Sequence, residues 1–232
     1  FAAFIAMRAC EQVRTSVAYP NLNVKFVVSH SGVSAGSAGP THHTLEDIAI
    51  MRAIPNMTVL VPGDVNEVES AIDFAINHKG PVYIRNSATD ITPVKSDIRY
   101  SIGSAAKLND GNDLTIITTG IMKQEGIEAA RILKKQHGVN AKVLQIASIK
   151  PIDKNAIIES ATNTNLIITV EEHNILGGLG SAVAEIVAEQ GNARVLRIGI
   201  KDKFSGIGTP DYLLDEEGLR SSNIVDLALN SL

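Results

Sequence analysis

The chain contains one cysteine, no long apolar run and no excess of positive charge. Because Cys10 is its only thiol, the chain forms no intrachain disulfide, which is typical of a reducing compartment, and we expect a cytoplasmic protein. No apolar segment is long enough to span a bilayer, and no signal peptide is recognisable. The formal net charge of −4 gives no reason to expect nucleic-acid binding.

The remaining composition is that of an ordinary globular protein. Of the 232 residues, 44% are hydrophobic and 20% are charged, which is enough for one or two domains with hydrophobic cores. Strand-like apolar segments alternate with segments of helical periodicity, which predicts two three-layer α/β/α domains with mostly parallel sheets. The predicted strands are 24–29, 57–61, 81–85, 114–118, 142–146, 166–170 and 194–198, and helices are predicted at 1–17, 66–77, 121–137, 154–161, 181–188, 212–217 and 223–232.

A polar stretch from residue 86 to about residue 96 contains proline and indicates a linker between the domains. The sequence therefore predicts a first domain at 1–92 and a second at 93–232. Three smaller features are also predicted. Asp64 is a candidate cap for the helix that begins at residue 66, with Glu67 at a capping-box spacing. Thr41 is a candidate N-cap for a helix running to Arg52, and residues 149–151 are a candidate turn.

The most informative stretch runs from residue 27 to residue 62, where a buried strand is followed by a glycine-rich loop. The loop places His30, His42 and His43 after the carboxyl end of the strand, which is where open parallel sheets bind ligands. Imidazoles donate, accept and change protonation near neutral pH. We predict a functional role for His30 and His42 together, whereas any one of these histidines alone is better explained as a surface residue of a glycine-rich connection.

Arg85 ends the predicted strand PVYIR at the same sheet edge. A guanidinium binds phosphate through paired hydrogen bonds, so Arg85 is a candidate phosphate ligand, and an interdomain salt bridge is the alternative. Phe1 and Phe4 lie one helical turn apart in the first predicted helix. Their spacing alone favours two core residues.

The second half carries VEEHNILGGLGSAVAE at residues 170–185. Its glycines precede a helix and are suited to cradling an anion, but their spacing is not that of a dinucleotide fingerprint, and tight helix–strand packing is the favoured explanation. Glu171, Glu172 and His173 have metal-ligand chemistry. Because there is no second cluster of such residues, we predict no metal site here.

The segment GPTHHTLEDIAIMRAIPNMTVLVPGD resembles the GPTHQ…IPN signature of the transketolase family, which includes 1-deoxyxylulose-5-phosphate synthase. The VEEH…GG.GS.V.E segment and the residues from 197 to 214 are similar to the C-terminal domain of the same family. The resemblance implies a thiamine diphosphate-binding fold, with a pyrimidine-binding domain that is cut short at its start followed by a C-terminal domain. It also implies a transferase of the pentose phosphate pathway that moves a two-carbon ketol unit between sugar phosphates.

The resemblance also implies roles for individual residues. Phe1 and Phe4 would line the pocket for the aminopyrimidine ring of thiamine diphosphate, His30 and His42 would be catalytic and contact the donor sugar, and Arg85 would hold the sugar phosphate. The diphosphate and Mg²⁺ would be held by another domain or chain, because the GDG…N motif is absent from this sequence and the glutamate-bearing segment is expected upstream of Phe1. An N-terminal transketolase subunit or domain is thus the expected partner, in a homodimer or a heterotetramer.

Two positions depart from the family pattern. His43 stands where glutamine is common, and Ser37-Ala38 replaces an acidic pair whose aspartate recognises a substrate hydroxyl. Because Ala38 cannot accept that hydrogen bond, we hypothesise altered substrate choice or weakened activity. The alternatives are 1-deoxyxylulose-5-phosphate synthase, a non-catalytic assembly subunit, and a β-subunit of a 2-oxoacid dehydrogenase, against which the THH…IPNM stretch argues.

Overall fold

The structure is a computed structural model that describes residues 1–89, 93, 94 and 100–232. Residues 90–92 and 95–99, which include part of the predicted linker, lie outside the described residues. The helices are α1, whose consecutive turns are Phe4–Arg8, Cys10–Gln12 and Val13–Ala18, then α2 Asp47–Ala53, α3 Val65–Asn77, α4 Met122–His137, α5 Lys154–Asn163, α6 Leu179–Gln190, α7 Pro210–Glu216 and α8 Ser221–Leu229. The strands are β1 Lys25–Val28, β2 Thr58–Leu60, β3 Val82–Arg85, β4 Ala106–Asn109, β5 Leu114–Thr118, β6 Ala141–Gln145, β7 Ser148–Lys150, β8 Leu166–Asn174 and β9 Arg194–Ile200.

Two sheets organise the described residues. The first has the order β1-β3-β2-β7 and is parallel except for β7, and the second has the order β4-β6-β5-β8-β9 and is parallel except for β4. Helices that follow the strands carry apolar residues onto the sheets, as expected for alternating strands and helices. The predicted class, two α/β units with mostly parallel sheets, is confirmed.

Three local predictions are tested by the element boundaries. Asp64 caps α3 as predicted, because its side chain accepts the Glu67 N–H. Thr41 is not the N-cap of α2, which begins only at Asp47 after a turn. Residues 149–151 are not simply a turn, because β7 pairs antiparallel with β2 and adds a strand from the second half of the chain to the first sheet.

The two halves share a hydrophobic core. One apolar cluster contains Met57 and Val59 of the first half together with Ile149 and Leu179 of the second. A buried ion cluster also joins them, since Lys123 Nζ lies 2.5 Å from Asp64 Oδ2 and 2.9 Å from Glu67 Oε1, and all three side chains are 0% exposed. Burial alone would lower the pKa of Lys123, but the two carboxylates raise it overall, so the ammonium stays charged.

The helices of the described residues do not include a candidate membrane span. Within the described ranges, none combines the length and the hydropathy that crossing a bilayer requires.

Candidate functional site

Four of the predicted site residues form one aromatic cluster. The ring of Phe1 lies with its centroid 4.3 Å from that of His30, 5.3 Å from that of His42 and 5.7 Å from that of Phe4. Phe4 and His42 are 5.2 Å apart and meet edge to face. Residues from the start of the chain and from the loop after β1 therefore meet at the carboxyl end of that strand.

The loop that carries the histidines, residues 29–44, is called the histidine loop below. His30 has φ +57°, a left-handed conformation that is uncommon for a residue other than glycine. The Ser29 carbonyl accepts a 2.8 Å hydrogen bond from the Ala2 N–H, which ties the loop to α1. Ser31 donates from both its N–H and its Oγ to the Asn86 carbonyl beyond β3. The strained backbone at His30 persists only where surrounding contacts impose it, and the hydrogen bonds of Ser29 and Ser31 on either side supply such contacts.

Each clustered histidine has a hydroxyl neighbour at Nδ1. Ser29 Oγ lies 3.0 Å from His30 Nδ1, and Thr41 Oγ1 lies 2.9 Å from His42 Nδ1. Thr41 thus orients an imidazole rather than capping α2. Among the described residues no hydrogen bond reaches Nε2 of either ring, so one nitrogen of each imidazole is available to a ligand.

The third histidine has a different environment. His43 is 3% exposed, and its Nε2 lies 3.1 Å from the Gly36 carbonyl. Burial lowers the pKa of His43, so the ring is neutral and donates from Nε2 to that carbonyl. His43 therefore stabilises the inside of the loop and does not belong to the ring contacts of the cluster.

The Ser37-Ala38 pair, which replaces the acidic pair of the family pattern, lies at the solvent. Ser37 and Ala38 are exposed at the end of the short 3₁₀ turn Gly36–Ala38. No carboxylate stands at these two positions, so this part of the loop cannot accept a hydrogen bond from a ligand hydroxyl through an acidic side chain.

Arg85 is buried and forms an ion pair inside the protein. Its side chain is 4% exposed, and its Nε lies 2.9 Å from Asp47 Oδ2. Its Nη2 donates to the Thr44 and Glu172 carbonyls at 3.3 and 3.0 Å. The guanidinium is thus enclosed in protein, with Nε and Nη2 already hydrogen-bonded, and a role for Arg85 in holding a sugar phosphate stays a prediction. The ion pair lies within the first half, and the bond to Glu172 crosses to the second.

Sequence reasoning did not anticipate the buried polar network around Asp47. The Tyr83 hydroxyl donates to Asp47 Oδ2 at 2.8 Å, and burial, reinforced by the Asp47 charge, raises the pKa of Tyr83 well above its ordinary value. His173 Nε2 lies 4.0 Å from Asp47 Oδ1, and burial lowers the pKa of His173 to about 4. The only local signal was an acidic residue in the first turn of α2, which gives no information about partners distant in sequence.

The glycine motif of the second half serves helix packing. Glu171 accepts the Leu179 and Gly180 N–H groups at 2.6 and 2.8 Å, so a carboxylate of the chain itself occupies the N-terminus of α6. A Cβ at Gly178 would overlap the same carboxylate. The packing interpretation is favoured over an anion cradle, because the anion position is already filled.

The next residue reaches the histidine loop. Glu172 Oε1 accepts the Val33 N–H at 2.9 Å, and both residues are buried. Burial raises the pKa of Glu171 and of Glu172 to about 7. Within the described ranges no group of three or more His, Cys, Asp or Glu side chains is arranged to hold a metal ion.

Comparisons with known proteins identify the class that this fold and cluster define. The chain matches the family profile of the transketolase pyrimidine-binding domain over residues 1–92 and that of the transketolase C-terminal domain over residues 103–224. The chain belongs to the transketolase family and is a section of a transketolase-like transferase.

Individual relatives show which kinds of transketolase chain this sequence resembles. The chain is 44% identical to a putative transketolase C-terminal section of Methanocaldococcus jannaschii, over 97% of the chain and 71% of that protein. It is 41% identical to a 6-deoxy-6-sulfo-D-fructose transketolase subunit, SqwH, of a Clostridium species, over 98% and 71%. A solved structure described as a split gene transketolase, an inactive β4 tetramer, superposes with a TM-score of 0.93 at 41% identity, covering 100% of this chain and 74% of that one.

The transketolase family depends on thiamine diphosphate. The Phe1–Phe4–His42 cluster fits the aromatic end of such a cofactor, because it offers ring faces and edges together with unoccupied imidazole nitrogens. It does not fit the diphosphate end. In the part of the chain that the structure describes, the acidic side chains are not grouped as metal ligands, and the N-terminus of α6 is filled by Glu171.

Proposed function

We propose that the chain is the C-terminal subunit of a split transketolase that transfers a two-carbon ketol unit between sugar phosphates in the cytoplasm. The observation that carries the proposal is the convergence of His30 and His42 on Phe1 and Phe4. The similarity to named transketolase subunits supports the reaction type. The proposal retains the division into residues 1–92 and 93–232 and a role in carbohydrate metabolism, in the pentose phosphate pathway.

The proposed roles follow from the contacts of each side chain. Phe1 and Phe4 pack against the aminopyrimidine ring of thiamine diphosphate. His30 and His42 hold the donor sugar and exchange protons with its reacting oxygens through Nε2, because their Nδ1 atoms are held by Ser29 and Thr41. When bound, the cofactor supplies the carbanion chemistry, and the protein supplies orientation and electrostatics.

The proposal requires a second chain. The diphosphate and Mg²⁺ are assigned to an N-terminal transketolase subunit, in a homodimer or heterotetramer, since this chain offers them no ligand set among its described residues. Support comes from the solved relative at 41% identity, which is described as inactive as a β4 tetramer. We therefore expect this chain alone to be inactive.

The test is ketol transfer from xylulose 5-phosphate to ribose 5-phosphate, using the chain with its native partner, with and without thiamine diphosphate and Mg²⁺. We expect turnover that depends on the cofactor and falls by about 10²–10⁴-fold in His30→Ala and His42→Ala, the usual worth of positioned acid–base groups. His137→Ala, which changes an exposed histidine at the end of α4, is the matched control and is expected to retain full activity. A cofactor-loaded complex without turnover contradicts the proposal.

A second candidate is 1-deoxyxylulose-5-phosphate synthesis from pyruvate and glyceraldehyde 3-phosphate. A 1-deoxy-D-xylulose-5-phosphate synthase of Geobacter sulfurreducens is 37% identical over 94% of the chain, but the chain covers only 34% of it. The same complex assayed with these two substrates distinguishes the reactions. Inactivity in both assays favours the non-catalytic assembly subunit.

A further inference from the structure

Glu172 lies outside the aromatic cluster, yet it contacts the loop that bears the histidines. It belongs to β8 in the second half of the chain, 139 residues from Val33, whose N–H it accepts at 2.9 Å. Its side chain is enclosed, and Val33 is 0% exposed. A buried N–H has no water to bond when its partner is removed, so this acceptor determines where the backbone at Val33 rests.

The same residue holds the histidine loop from its other side. Gly32 and Thr44 form an isolated antiparallel bridge, with both N–H to carbonyl distances at 3.0 Å. Arg85 donates to the Thr44 carbonyl and to the Glu172 carbonyl from one nitrogen, Nη2. The bridge that closes the loop is thus linked to Glu172 in two ways. The Glu172 carboxylate accepts the Val33 N–H next to Gly32, and the Glu172 carbonyl shares Arg85 Nη2 with the Thr44 carbonyl.

The clustered histidines are both close to this bridge in sequence. His30 lies two residues before Gly32, and His42 lies two residues before Thr44. His30 is also held at φ +57°, a conformation that relaxes unless its neighbours are fixed. A displacement of the bridge therefore moves both imidazoles relative to Phe1, and displacements on the scale of 1 Å lower enzymatic rates by about 10²-fold.

We infer that Glu172 is a positioning residue of the active site, which holds the His30 and His42 imidazoles for reaction through its hydrogen bond to Val33. The inference rests on the proposed function only for its predicted effect on kcat. The positions of the imidazoles can be measured without any activity. A purely structural contact between the halves would alter stability and leave the position of His30 unchanged.

Two variants separate the length of the side chain at position 172 from its charge. Glu172→Asp keeps the carboxylate but withdraws it by one methylene group from Val33, whereas Glu172→Gln keeps the length and a carbonyl acceptor. In the partner-containing complex we expect Glu172→Asp to lower kcat by about 10-fold or more with KM changed by less than about threefold, and Glu172→Gln to stay within about threefold of the native kcat. Glu171→Gln is the matched control, since Glu171 is equally buried on the same strand but bonds to α6.

The second measurement does not depend on turnover. Selective ¹³C labelling of histidine gives one imidazole signal per ring, and His30→Asn assigns the signal of His30. We expect this signal to shift in Glu172→Asp and to keep its native position in Glu172→Gln and Glu171→Gln. An unshifted His30 signal in Glu172→Asp overturns the inference whatever the activity. A shifted signal in a chain without ketol transfer supports the positioning role and contradicts the proposed function alone.

Discussion

Replacing Gly32 with alanine tests how tightly the histidine loop is held against Glu172. Gly32 has φ +61°, where a residue with a Cβ is destabilised by about 1–2 kcal/mol, offset in part by about 0.4–1 kcal/mol from the stiffer unfolded chain. The new Cβ would also overlap the Glu172 carboxylate. Glu172 must then move and release the buried Val33 N–H, which costs about 1–3 kcal/mol. We expect a total loss of about 1–5 kcal/mol in the free energy of unfolding.

The chain offers a matched control in Gly138, which follows α4. Its φ is +70°, and an added Cβ there would have no atom within 4 Å, so Gly138→Ala carries only the backbone cost. Urea unfolding of the two variants at one pH therefore separates the conformational cost from the collision, and we expect Gly32→Ala to be the less stable by about 1–3 kcal/mol. If the two variants lose the same free energy of unfolding within about 0.5 kcal/mol, the argument is refuted, because Glu172 would then have moved aside without destabilising the fold.

Three further predictions concern other parts of the molecule. Ala38→Asp restores an acceptor for a substrate hydroxyl worth about 1–3 kcal/mol, so ketol transfer should rise by about tenfold, and no change or a loss counts against the hypothesis. Lys123→Met leaves two buried carboxylates unpaired and should lower the free energy of unfolding by about 3–5 kcal/mol in a urea titration. Because Glu171 and Glu172 have pKa values raised to about 7, the folded chain binds protons that the unfolded chain has released, and each group contributes about 3 kcal/mol of stability that is lost between about pH 4.5 and pH 7. His173, with its pKa lowered to about 4, opposes this trend between about pH 4 and pH 6.5. Because Glu171→Gln removes one of the two carboxyls, its free energy of unfolding should fall less steeply with rising pH than that of the native chain.

The parts of the site that were predicted are those that depend on short stretches of sequence. An apolar strand followed by glycines identifies a strand end, and His30 and His42 are near enough to it to share one loop. That Phe1 and Phe4 join them came from the resemblance, because their spacing is equally that of core residues. The roles of these four residues stay predictions, whereas their convergence is seen in the structure.

The sequence is least informative where distant segments supply a residue's environment. The position of Arg85 at a strand end was correct, but its partners, Asp47 and the Glu172 carbonyl, are 38 and 87 residues away. No local pattern tells whether a guanidinium at a sheet edge faces solvent or an enclosed carboxylate. The strand β7 has three residues, too few to show a period of two, and its pairing with β2 depends on how the halves pack.

These distant contacts explain why the second half belongs to the site although it brings no ring to the cluster. The histidine loop follows β1, in the first half, but its bridge is fixed by Arg85 and by Glu172 of β8. The loop includes a strained His30, and it is glycine-rich enough to relax if unsupported. The strand β8 of the second sheet supplies a fixed hydrogen-bond acceptor enclosed in protein, the Glu172 carboxylate, which the loop's own residues do not provide. The C-terminal half therefore contributes by holding the catalytic groups in position. For this reason we expect Glu172→Asp, which shortens the side chain by one methylene group, to displace the His30 and His42 imidazoles although Glu172 does not contact them.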